Sequence, residues 1–371
     1  MKPWDVVVVG AGSAGSAAAL HTARRGLRTL VVERRALADA GAHWVNSIYG
    51  GAFEESQIAR PEAPELRGSG HRFHMVAGWG PVSISMAAND VLDLDMSLLI
   101  ARLRRDAASA GAVFVERAPV AAIAPGRVTL ADGVVHEATV VVDATGLGGL
   151  YRTEKPRPAD ICAAAQGIYA ITDPAAARAF FATFGAEPGD TLGFTAVAGG
   201  YSIVAVRIEG DELSVLSGSL PALGHPSGRA LRDAFVARHG AWVGALRFGG
   251  QAPIPLQRPR RHLAHVDGRG AEARAVVWIG DAASQVYAAH GSGIGAQLVA
   301  ARMLGEALAA RGAAGAAAWQ RAWHRRFGAS FVAADAFRRL SMRLGPRGLA
   351  FMLKAGLLRA SMVRLGMSAG L

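Results

Sequence analysis

The sequence predicts an α/β fold in which a parallel sheet is formed by the two ends of the chain and a mostly antiparallel sheet is inserted between them. Three observations lead to this prediction. A strand–helix–strand unit with closely spaced glycines opens the chain at residues 5–33. Residues from about 156 to 262 contain runs in which apolar and polar residues alternate, as in antiparallel strands. Residues 276–311 again show an apolar strand followed by closely spaced glycines, as in the opening unit. Residues 315–371 are helical and basic, so we expect a helical C-terminal cap.

The opening unit has the pattern of a dinucleotide-binding turn. Val6 to Val9 form an apolar run that is typical of a strand covered on both faces. Gly10 allows a tight turn, Gly12 lets the backbone approach a pyrophosphate, and Gly15 lets the next helix pack close to the strand. The free N–H groups at the start of that helix favour a phosphate.

The end of the second strand supplies an acid. This strand is predicted at Thr29 to Val32, and Glu33 follows it directly. A carboxylate in this place accepts hydrogen bonds from ribose hydroxyls, which favours FAD or NAD over a cofactor with a 2′-phosphate.

Two later segments favour FAD. A strand at Val140 to Asp143 leads into Ala144-Thr145-Gly146, and a further strand ends at Gly280-Asp281. The glycines from Gly291 onward are predicted to start a helix whose positive end stabilises an anionic reduced flavin. The alternative is an ordinary strand–turn–helix with an Asp cap.

The order of the segments predicts a glutathione-reductase-like, FAD-binding Rossmann domain. The predicted cofactor contacts are Gly10, Gly12, Ala14, Gly15, Glu33, Arg34, Val120, Ala144, Thr145, Gly146, Gly280, Asp281, Gly293 and Ile294.

Domain boundaries follow from the same changes in pattern. The FAD-binding domain is predicted at residues 1–40, 90–155 and 263–314, the substrate domain at 41–89 and 156–262, and the cap at 315–371. Residues 41–84 read as loop-rich.

Composition limits the classes of function. The apolar fraction is 51% and the formal net charge is +11, yet only three of the 40 basic residues are lysines. We find no nucleic-acid-binding motif, although a basic surface would attract acidic substrates or anionic lipid. Cys162 is the single cysteine, which excludes an internal disulfide, and His71 and His74 lack a third ligand, so no metal site is predicted. The sequence has no leader pattern and no long apolar stretch, which predicts a cytoplasmic location.

The motifs resemble those of the geranylgeranyl reductase family of FAD-dependent oxidoreductases, which is related to aromatic hydroxylases, lycopene cyclases and flavin-dependent halogenases. The resemblance covers roughly residues 4–310 and rests on the opening glycines with Glu33, the Gly50-Gly51 loop, Gly199-Gly200-Tyr201, Pro253-Ile-Pro255-Leu256 and the segment from Gly280 to Ile294. Prenyl reductases commonly carry a cysteine where this chain has Tyr49, and the halogenase Trp-x-Trp-x-Ile-Pro box is absent. The subclass therefore stays open.

Five side chains are candidate catalytic residues. His290 precedes the glycine turn that is expected to meet the flavin ring, and it is a candidate general acid or base. Tyr201 is a candidate for orienting a substrate or donating a proton. His43, Asn46 and Tyr49 precede the Gly50-Gly51 loop, which passes the reactive face of the flavin in many proteins of this fold. The alternatives are a loop histidine bound to the backbone and a strand tyrosine used for packing. Non-covalent FAD is expected, with covalent attachment to His43 as the alternative.

The predicted function is an FAD-dependent oxidoreductase that acts on an apolar or aromatic small molecule by hydride transfer or oxygenation. The alternatives are a prenyl-chain reductase, a flavin monooxygenase or halogenase, and a non-catalytic flavoprotein. The sequence has no second GxGxxG, so the reductant is open among transient NAD(P)H, a separate reductase partner and the substrate itself. The basic C-terminal helices, up to Arg364, are expected to cap the FAD domain, with peripheral membrane contact as the alternative.

Overall fold

The structure is a computed structural model that describes residues 3–87, 90–151 and 155–363. Its helices are α1 (Ser13–Ala23), α2 (Gly51–Ser56), α3 (Met96–Ser109), α4 (Pro174–Ala182), α5 (Gly228–Arg238), α6 (Ile294–Arg311), α7 (Ala314–Ser341) and α8 (Pro346–Lys354). Its strands are β1 (Trp4–Val9), β2 (Thr29–Val32), β3 (Val45–Tyr49), β4 (Leu66–Ser69), β5 (Phe73–Ala77), β6 (Ser83–Met86), β7 (Val91–Asp95), β8 (Val113–Val115), β9 (Val120–Ala124), β10 (Arg127–Leu130), β11 (Val135–Asp143), β12 (Ile161–Ile171), β13 (Thr191–Thr195), β14 (Ser202–Glu209), β15 (Glu212–Ser219), β16 (Val243–Pro255), β17 (Ala264–Asp267) and β18 (Arg274–Trp278).

The first sheet has the order β17-β18-β11-β1-β2-β8, and the strands β9 and β10 extend from β11. Strand β1 pairs in parallel with β2 and β11, and β11 pairs in parallel with β18. The carboxyl ends of these four strands therefore meet at one edge of the sheet. In open α/β sheets this edge is where ligands bind.

Helix α1 lies between this sheet and helices α3 and α6. Because it is covered on all sides, it is rich in alanine and every residue from Ala14 to Ala23 is buried. A Cβ atom on Gly305 of α6 would lie 2.8 Å from the carbonyl oxygen of His21, which shows how closely the two helices cross. The other face of the sheet is covered by the β9–β10 hairpin, whose Ile123 and Val128 join the same core cluster as Val7.

The second sheet has seven strands in the order β16-β12-β15-β14-β13-β5-β6. All of its pairs are antiparallel except β13 with β5. Helices α4 and α5 cover one face with a core that includes Phe181 and Phe235. The opposite face is turned toward the carboxyl edge of the first sheet. This arrangement confirms the predicted α/β fold class with an inserted, mostly antiparallel sheet.

The prediction that residues 41–84 are loop-rich is wrong. This stretch contains α2 and the strands β3 to β6, and β3 and β4 pair with β7 in a separate three-stranded sheet. These strands have only four or five residues, and several, such as Ser83–Met86, have little β-branched character. They are strands because distant partners pair with them, so tertiary contacts decide their conformation rather than local propensity.

Helices α6, α7 and α8 form the helical C-terminus. Trp319, Trp323, Phe327 and Phe331 recur every four residues along α7 and are buried, and the indole nitrogen of Trp319 donates to the carbonyl of Ala300 on α6 at 2.9 Å. Helix α7 ends before Pro346, and α8 then packs on β5 and β6 of the second sheet. The predicted cap continues to residue 371, but Arg364 and the rest of 364–371 lie outside the described residues. Within the described residues, no helix combines the length and apolarity needed to span a bilayer.

We predict that His21 makes the protein less stable in mild acid. Burial, and then the charges of Arg25 and Arg24, lower the pKa of this histidine from 6.5 to about 3. Because the unfolded chain binds a proton at His21 that the folded chain rejects, the stability is complete above pH 6.5 and falls as the pH approaches 3. Between pH 7 and 5 this single group costs about 2 kcal/mol of unfolding free energy.

The measurement is urea unfolding at both pH values for the wild type and for His21→Gln, which cannot titrate. His21→Gln should lose distinctly less stability on acidification. The matched control is His262→Gln at an exposed position. Parallel losses in the wild type and His21→Gln would contradict the prediction.

Candidate active site

A cavity of about 580 Å³ lies between the carboxyl edge of the parallel sheet and the second sheet. The segments that line it come from distant parts of the chain: the β1–α1 turn, the ends of β2, β11 and β18, the start of α6, and the strands β12, β14, β15 and β16. The fold thus brings the three predicted cofactor segments together in one site, and it places the antiparallel sheet opposite them.

Glu33 forms one end of the cavity. Its Oε2 accepts the backbone N–H of Ala11 at 2.9 Å and its Oε1 accepts that of Arg35 at 3.0 Å. Glu33 is buried and lines the cavity beside Arg34 and Val120. A carboxylate fixed at the end of the second parallel strand has the position required to bind the ribose of an adenine dinucleotide.

The start of α1 is suited to a pyrophosphate. Its N-cap, Gly12, provides no side-chain cap, and the first turn has no acidic residue. A Cβ on Gly12 would meet nothing closer than the Cα of Gly41 at 3.8 Å, so the space in front of this backbone is open. The helix end therefore offers N–H groups and a positive dipole to an anion in the cavity.

Two other glycines in this turn are required by packing. Gly10 has a φ of +102°, and a Cβ there would lie 2.5 Å from the carbonyl oxygen of Ala144. A Cβ on Gly15 would lie 1.9 Å from the carbonyl oxygen of Gly10. Gly15 does not line the cavity; it lets α1 approach the strand, as the sequence predicts.

The turn after β11 is held by its own strand. The hydroxyl of Thr145 donates to Oδ1 of Asp143 at 2.6 Å, and the backbone N–H of Thr145 donates to the same oxygen at 3.1 Å. These bonds fix Ala144, Thr145 and Gly146 along the cavity wall. The predicted contacts from this segment thus share the site with those of the opening turn.

Asp281 and the start of α6 form the opposite part of the cofactor wall. Burial raises the pKa of Asp281, and its Oδ1 accepts a hydrogen bond from the Gln297 amide at 3.1 Å. Helix α6 begins after Gly293 with no side-chain cap and no acid in its first turn. Ser292 Oγ is buried there, and no described residue is its hydrogen-bond partner. These unfilled donors and the helix end fit the polar edge of a flavin.

These observations fit FAD along the whole wall. The wall of a single cavity carries four features in sequence. They are a carboxylate that can accept ribose hydroxyls, an uncapped helix with open space before it, a buried aspartate and a second uncapped helix. Thirteen of the fourteen predicted cofactor contacts line it, all except Gly15.

His290 lies beside the second helix end. Its Nδ1 accepts the backbone N–H of Ser292 at 3.2 Å, which leaves the proton of the neutral ring on Nε2. The ring keeps accessible surface within the cavity, yet the surrounding walls desolvate it and lower its pKa to about 4. His290 also stacks on Tyr287, with ring centroids 4.9 Å apart, so its orientation is fixed. It is a neutral hydrogen-bond donor at pH 7.

Tyr201 contributes a second donor to the cavity. Its hydroxyl lies 3.2 Å from the position of a Cβ on Gly291, which places it directly over the turn that follows His290. Burial raises the pKa of Tyr201 well above 10, so the phenol stays protonated. Asn46 lines the same cavity.

His43 and Tyr49 are placed elsewhere. His43 is exposed and does not belong to the cavity lining, and Tyr49 packs its ring against Gly51 at the edge of the large core. Of the predicted group before Gly50, the structure brings Asn46 and its neighbour Trp44 to the cavity.

Sequence reasoning missed most of the wall formed by the second sheet. Cys162 and Ala164 of β12, Ile203 of β14, Leu216 of β15 and Ile254 of β16 all line the cavity. Alternation along β14 could have indicated Ile203, which is two residues after Tyr201 and therefore on the same face. The other positions depend on strand order, which is not visible in a single sequence. Burial raises the pKa of the Cys162 thiol to about 12, so it stays a neutral wall residue.

A family model matches the first part of the chain. Residues 5–74 match the family model described as FAD dependent oxidoreductase. This segment contains the β1–α1 turn and Glu33, the part of the site with the clearest cofactor geometry. Over this segment the chain is similar to FAD-dependent oxidoreductases, as its motifs predict.

Solved structures are similar over nearly the whole chain. A geranylgeranyl bacteriochlorophyll reductase-like protein from Thermoplasma acidophilum has a TM-score of 0.79 at 17% identity and covers 95% of this chain and 91% of its own. The flavin-dependent brominase Bmp2 has a TM-score of 0.69 at 15% identity, with 100% and 94% covered. The tetrameric form of 2-methyl-3-hydroxypyridine-5-carboxylic acid oxygenase has a TM-score of 0.63 at 17% identity, with 92% and 93% covered.

These identities establish the shared fold, and the predicted resemblance to the geranylgeranyl reductase-like fold is confirmed at that level. The three proteins are named as a reductase-like protein, a brominase and an oxygenase, so the fold alone does not define the reaction. No curated protein matches the chain.

We predict that Gly12→Val loses FAD without losing the fold. The new side chain would project into the open space before α1 and block the approach of the pyrophosphate, while no protein atom lies within 3.4 Å of its Cβ. We expect FAD affinity to fall at least about 100-fold. The measurement is flavin fluorescence titration of apoprotein, with circular dichroism to monitor folding.

The control for this prediction is Gly240→Val, which has similar space but lies at the end of α5, away from the cavity. FAD binding of wild-type strength in Gly12→Val would contradict the assignment of this turn to the cofactor.

Proposed function

We propose that this enzyme reduces or oxygenates an apolar or aromatic small molecule that lies against the second sheet, beside non-covalently bound FAD. The observation that carries the proposal is the chemistry of the two cavity walls. All Asp, Glu and Arg side chains of the described lining lie on the cofactor side, namely Glu33, Arg34, Arg35 and Asp281. The sheet side is formed by small and aliphatic residues.

The sheet wall supports an apolar substrate. The lining residues of β12, β14, β15 and β16 are Cys162, Ala164, Ile203, Leu216, Ser217, Gly218, Ala252, Pro253 and Ile254. A charged substrate group placed against them would lose its hydration without gaining a partner, at a cost of several kcal/mol, so the wall selects against it. Trp44 adds an aromatic surface to the same chamber.

The two neutral donors support proton transfer to the substrate. Bound FAD supplies the two-electron redox chemistry. Both side chains are uncharged at neutral pH, because desolvation disfavours their charged forms. A reduction of carbon needs one proton for each hydride; the Tyr201 hydroxyl can supply it and regain it from solvent, whereas neutral His290 can hold a polar substrate group through an Nε2 hydrogen bond.

The placement of His43 supports non-covalent FAD, since its side chain is exposed and outside the cavity lining. The electron donor in our proposal is NAD(P)H that binds transiently, with a separate reductase as the alternative. The prenyl-chain reductase is the leading specific candidate, because the uncharged wall accepts a hydrocarbon chain.

One experiment distinguishes the reactions. Purified holoenzyme is reduced anaerobically with NADH or NADPH, and the loss of the oxidised flavin absorbance is recorded. Prenyl alcohols or phenols are then added, with or without oxygen, and the products are analysed by mass spectrometry. Reoxidation by a prenyl compound without oxygen supports a reductase, whereas an oxygenated product that forms only with oxygen supports a monooxygenase. If no apolar or aromatic compound yields a product, the proposal fails.

The apolar wall gives a direct prediction. Ile203→Glu places a carboxylate among the aliphatic residues of the sheet side, and we expect its KM for an apolar substrate to rise at least about tenfold because the charge must be desolvated. FAD affinity should stay at the wild-type value, since Ile203 is on the sheet wall. Val134→Glu, an exposed hairpin position, is the matched control. An unchanged KM in Ile203→Glu would place the substrate elsewhere.

His290→Gln tests the proposed hydrogen-bond donor. We expect kcat for product formation to fall about tenfold, because the loss of one oriented hydrogen bond costs about 1.4 kcal/mol, while FAD affinity is retained. The measurement compares this variant with His262→Gln, an exposed histidine, in the product assay above. Equal kcat values for His290→Gln and the wild type would show that the histidine only supports its loop.

A further inference from the structure

The last part of the chain is basic and lacks acids. After Asp335, residues 336–371 contain no Asp or Glu but seven basic residues. Arg338 is buried in ion pairs with Asp160 at 2.9 Å and Asp335 at 3.0 Å, so its charge is compensated within the fold. The exposed bases of the described segment are Arg339, Arg343, Arg347, Lys354 and Arg359. Positive charge is therefore concentrated on this surface. Among these five exposed side chains, only Arg339 forms an ion pair with a carboxylate of the described residues.

The same segment exposes large apolar side chains. On the last turns of α7, the exposed residues include Val332, Phe337 and Leu340. On α8 and after it, Phe351 is 65% exposed, and Leu357 and Met362 are also exposed. These six exposed hydrophobic side chains all lie within one stretch of 31 residues. We call residues 332–362 the C-terminal strip.

Helix α8 shows how the strip is arranged. Leu349 and Leu353 are buried against the second sheet. Arg347, Phe351 and Lys354 follow each other at i, i+4 and i+7, so they form one stripe on the opposite side of the helix. An aromatic ring between two cations is thus presented away from the protein.

This combination fits one kind of partner. Aromatic and aliphatic side chains insert at the boundary between lipid headgroups and acyl chains, and flanking Lys and Arg side chains bind anionic headgroups. A second copy of the same strip would bring like charges together, which opposes self-association through this surface. We propose that the C-terminal strip docks the enzyme on the surface of a bilayer that contains anionic lipid.

The strip also adjoins the site. Between α7 and α8, the carbonyl of Leu344 accepts the backbone N–H of Gly200 at 3.2 Å, and Met342 Sδ accepts that of Tyr201 at the same distance. The turn that brings Tyr201 into the cavity is therefore attached to the segment that would lie on the lipid. An apolar substrate dissolved in the bilayer would be close to the cavity when the enzyme is docked.

Vesicle flotation tests this proposal with the full-length holoenzyme. The probes are vesicles of phosphatidylcholine alone and of phosphatidylcholine mixed with phosphatidylglycerol. We expect the wild type to float with the anionic vesicles only and to be released by salt. Phe351→Asp and the double variant Arg347→Glu/Lys354→Glu should each bind at least about tenfold more weakly.

The controls match these changes in charge at exposed sites outside the strip. Val134→Asp corresponds to Phe351→Asp, and Arg105→Glu/Arg127→Glu corresponds to the double variant. Retained flavin absorbance shows that each variant is folded. Weaker flotation of the strip variants, with both controls unchanged, supports the proposal.

Three results would overturn it. The first is equal flotation of the wild type with both vesicle compositions. The second is flotation of the strip variants as strong as that of the wild type. The third is an equal loss of binding in the control variants outside the strip. A concentration-dependent dimer that is abolished by Phe351→Asp, without any flotation, would identify the strip as an interface between copies of this chain.

Discussion

The architecture depends on one close approach, between the β1–α1 turn and the end of β11. Gly10 and Gly15 lie so near to Ala144 and to each other's backbone that a single added carbon at either position would overlap a carbonyl oxygen. This contact brings the carboxyl ends of two parallel strands together and directs the start of α1 into the cavity. The cofactor wall is the result, because the N–H groups, Glu33 and the Ala144–Gly146 turn can then face one ligand.

The end of the cavity that contains His290 depends on the helical C-terminus. His290 stacks on Tyr287, whose ring meets Phe331 of α7 edge-on with centroids 5.5 Å apart. Phe331 in turn contacts Trp323 in the aromatic stripe between α7 and α6. A histidine at the cavity is thus oriented by a series of packed rings that begins in the cap. The cap is therefore part of the site as well as a cover for the core.

The cofactor half of the site could be predicted from sequence because its requirements are local. A glycine needed for a turn, an acid at a strand end and a glycine before a helix each leave a mark at a fixed spacing, and the three segments appear in the order that the fold demands. Thirteen predicted contacts accordingly line one cavity. The same reasoning located α1 and β2.

The wall that the second sheet contributes to the cavity could not be predicted in this way. Ala164, Leu216 and Ile254 meet because β12 lies between β15 and β16, and nothing in their own neighbourhoods distinguishes them from core residues. The short strands between residues 45 and 86 were missed for a related reason, since their pairing partners supply the stability that their sequences lack. Strand order in a sheet is set by contacts between distant parts of the chain, so it cannot be read from one amino-acid sequence.

The single sulfhydryl of this protein has a practical consequence. Cys162 is located in the wall of the cavity, and burial keeps it protonated, which makes it slow to alkylate. Because no other thiol competes, its rate of labelling by a maleimide measures how often that wall opens to solvent. The natural chain therefore contains a built-in reporter for opening of the chamber, and compounds that protect it can be screened without engineering the protein.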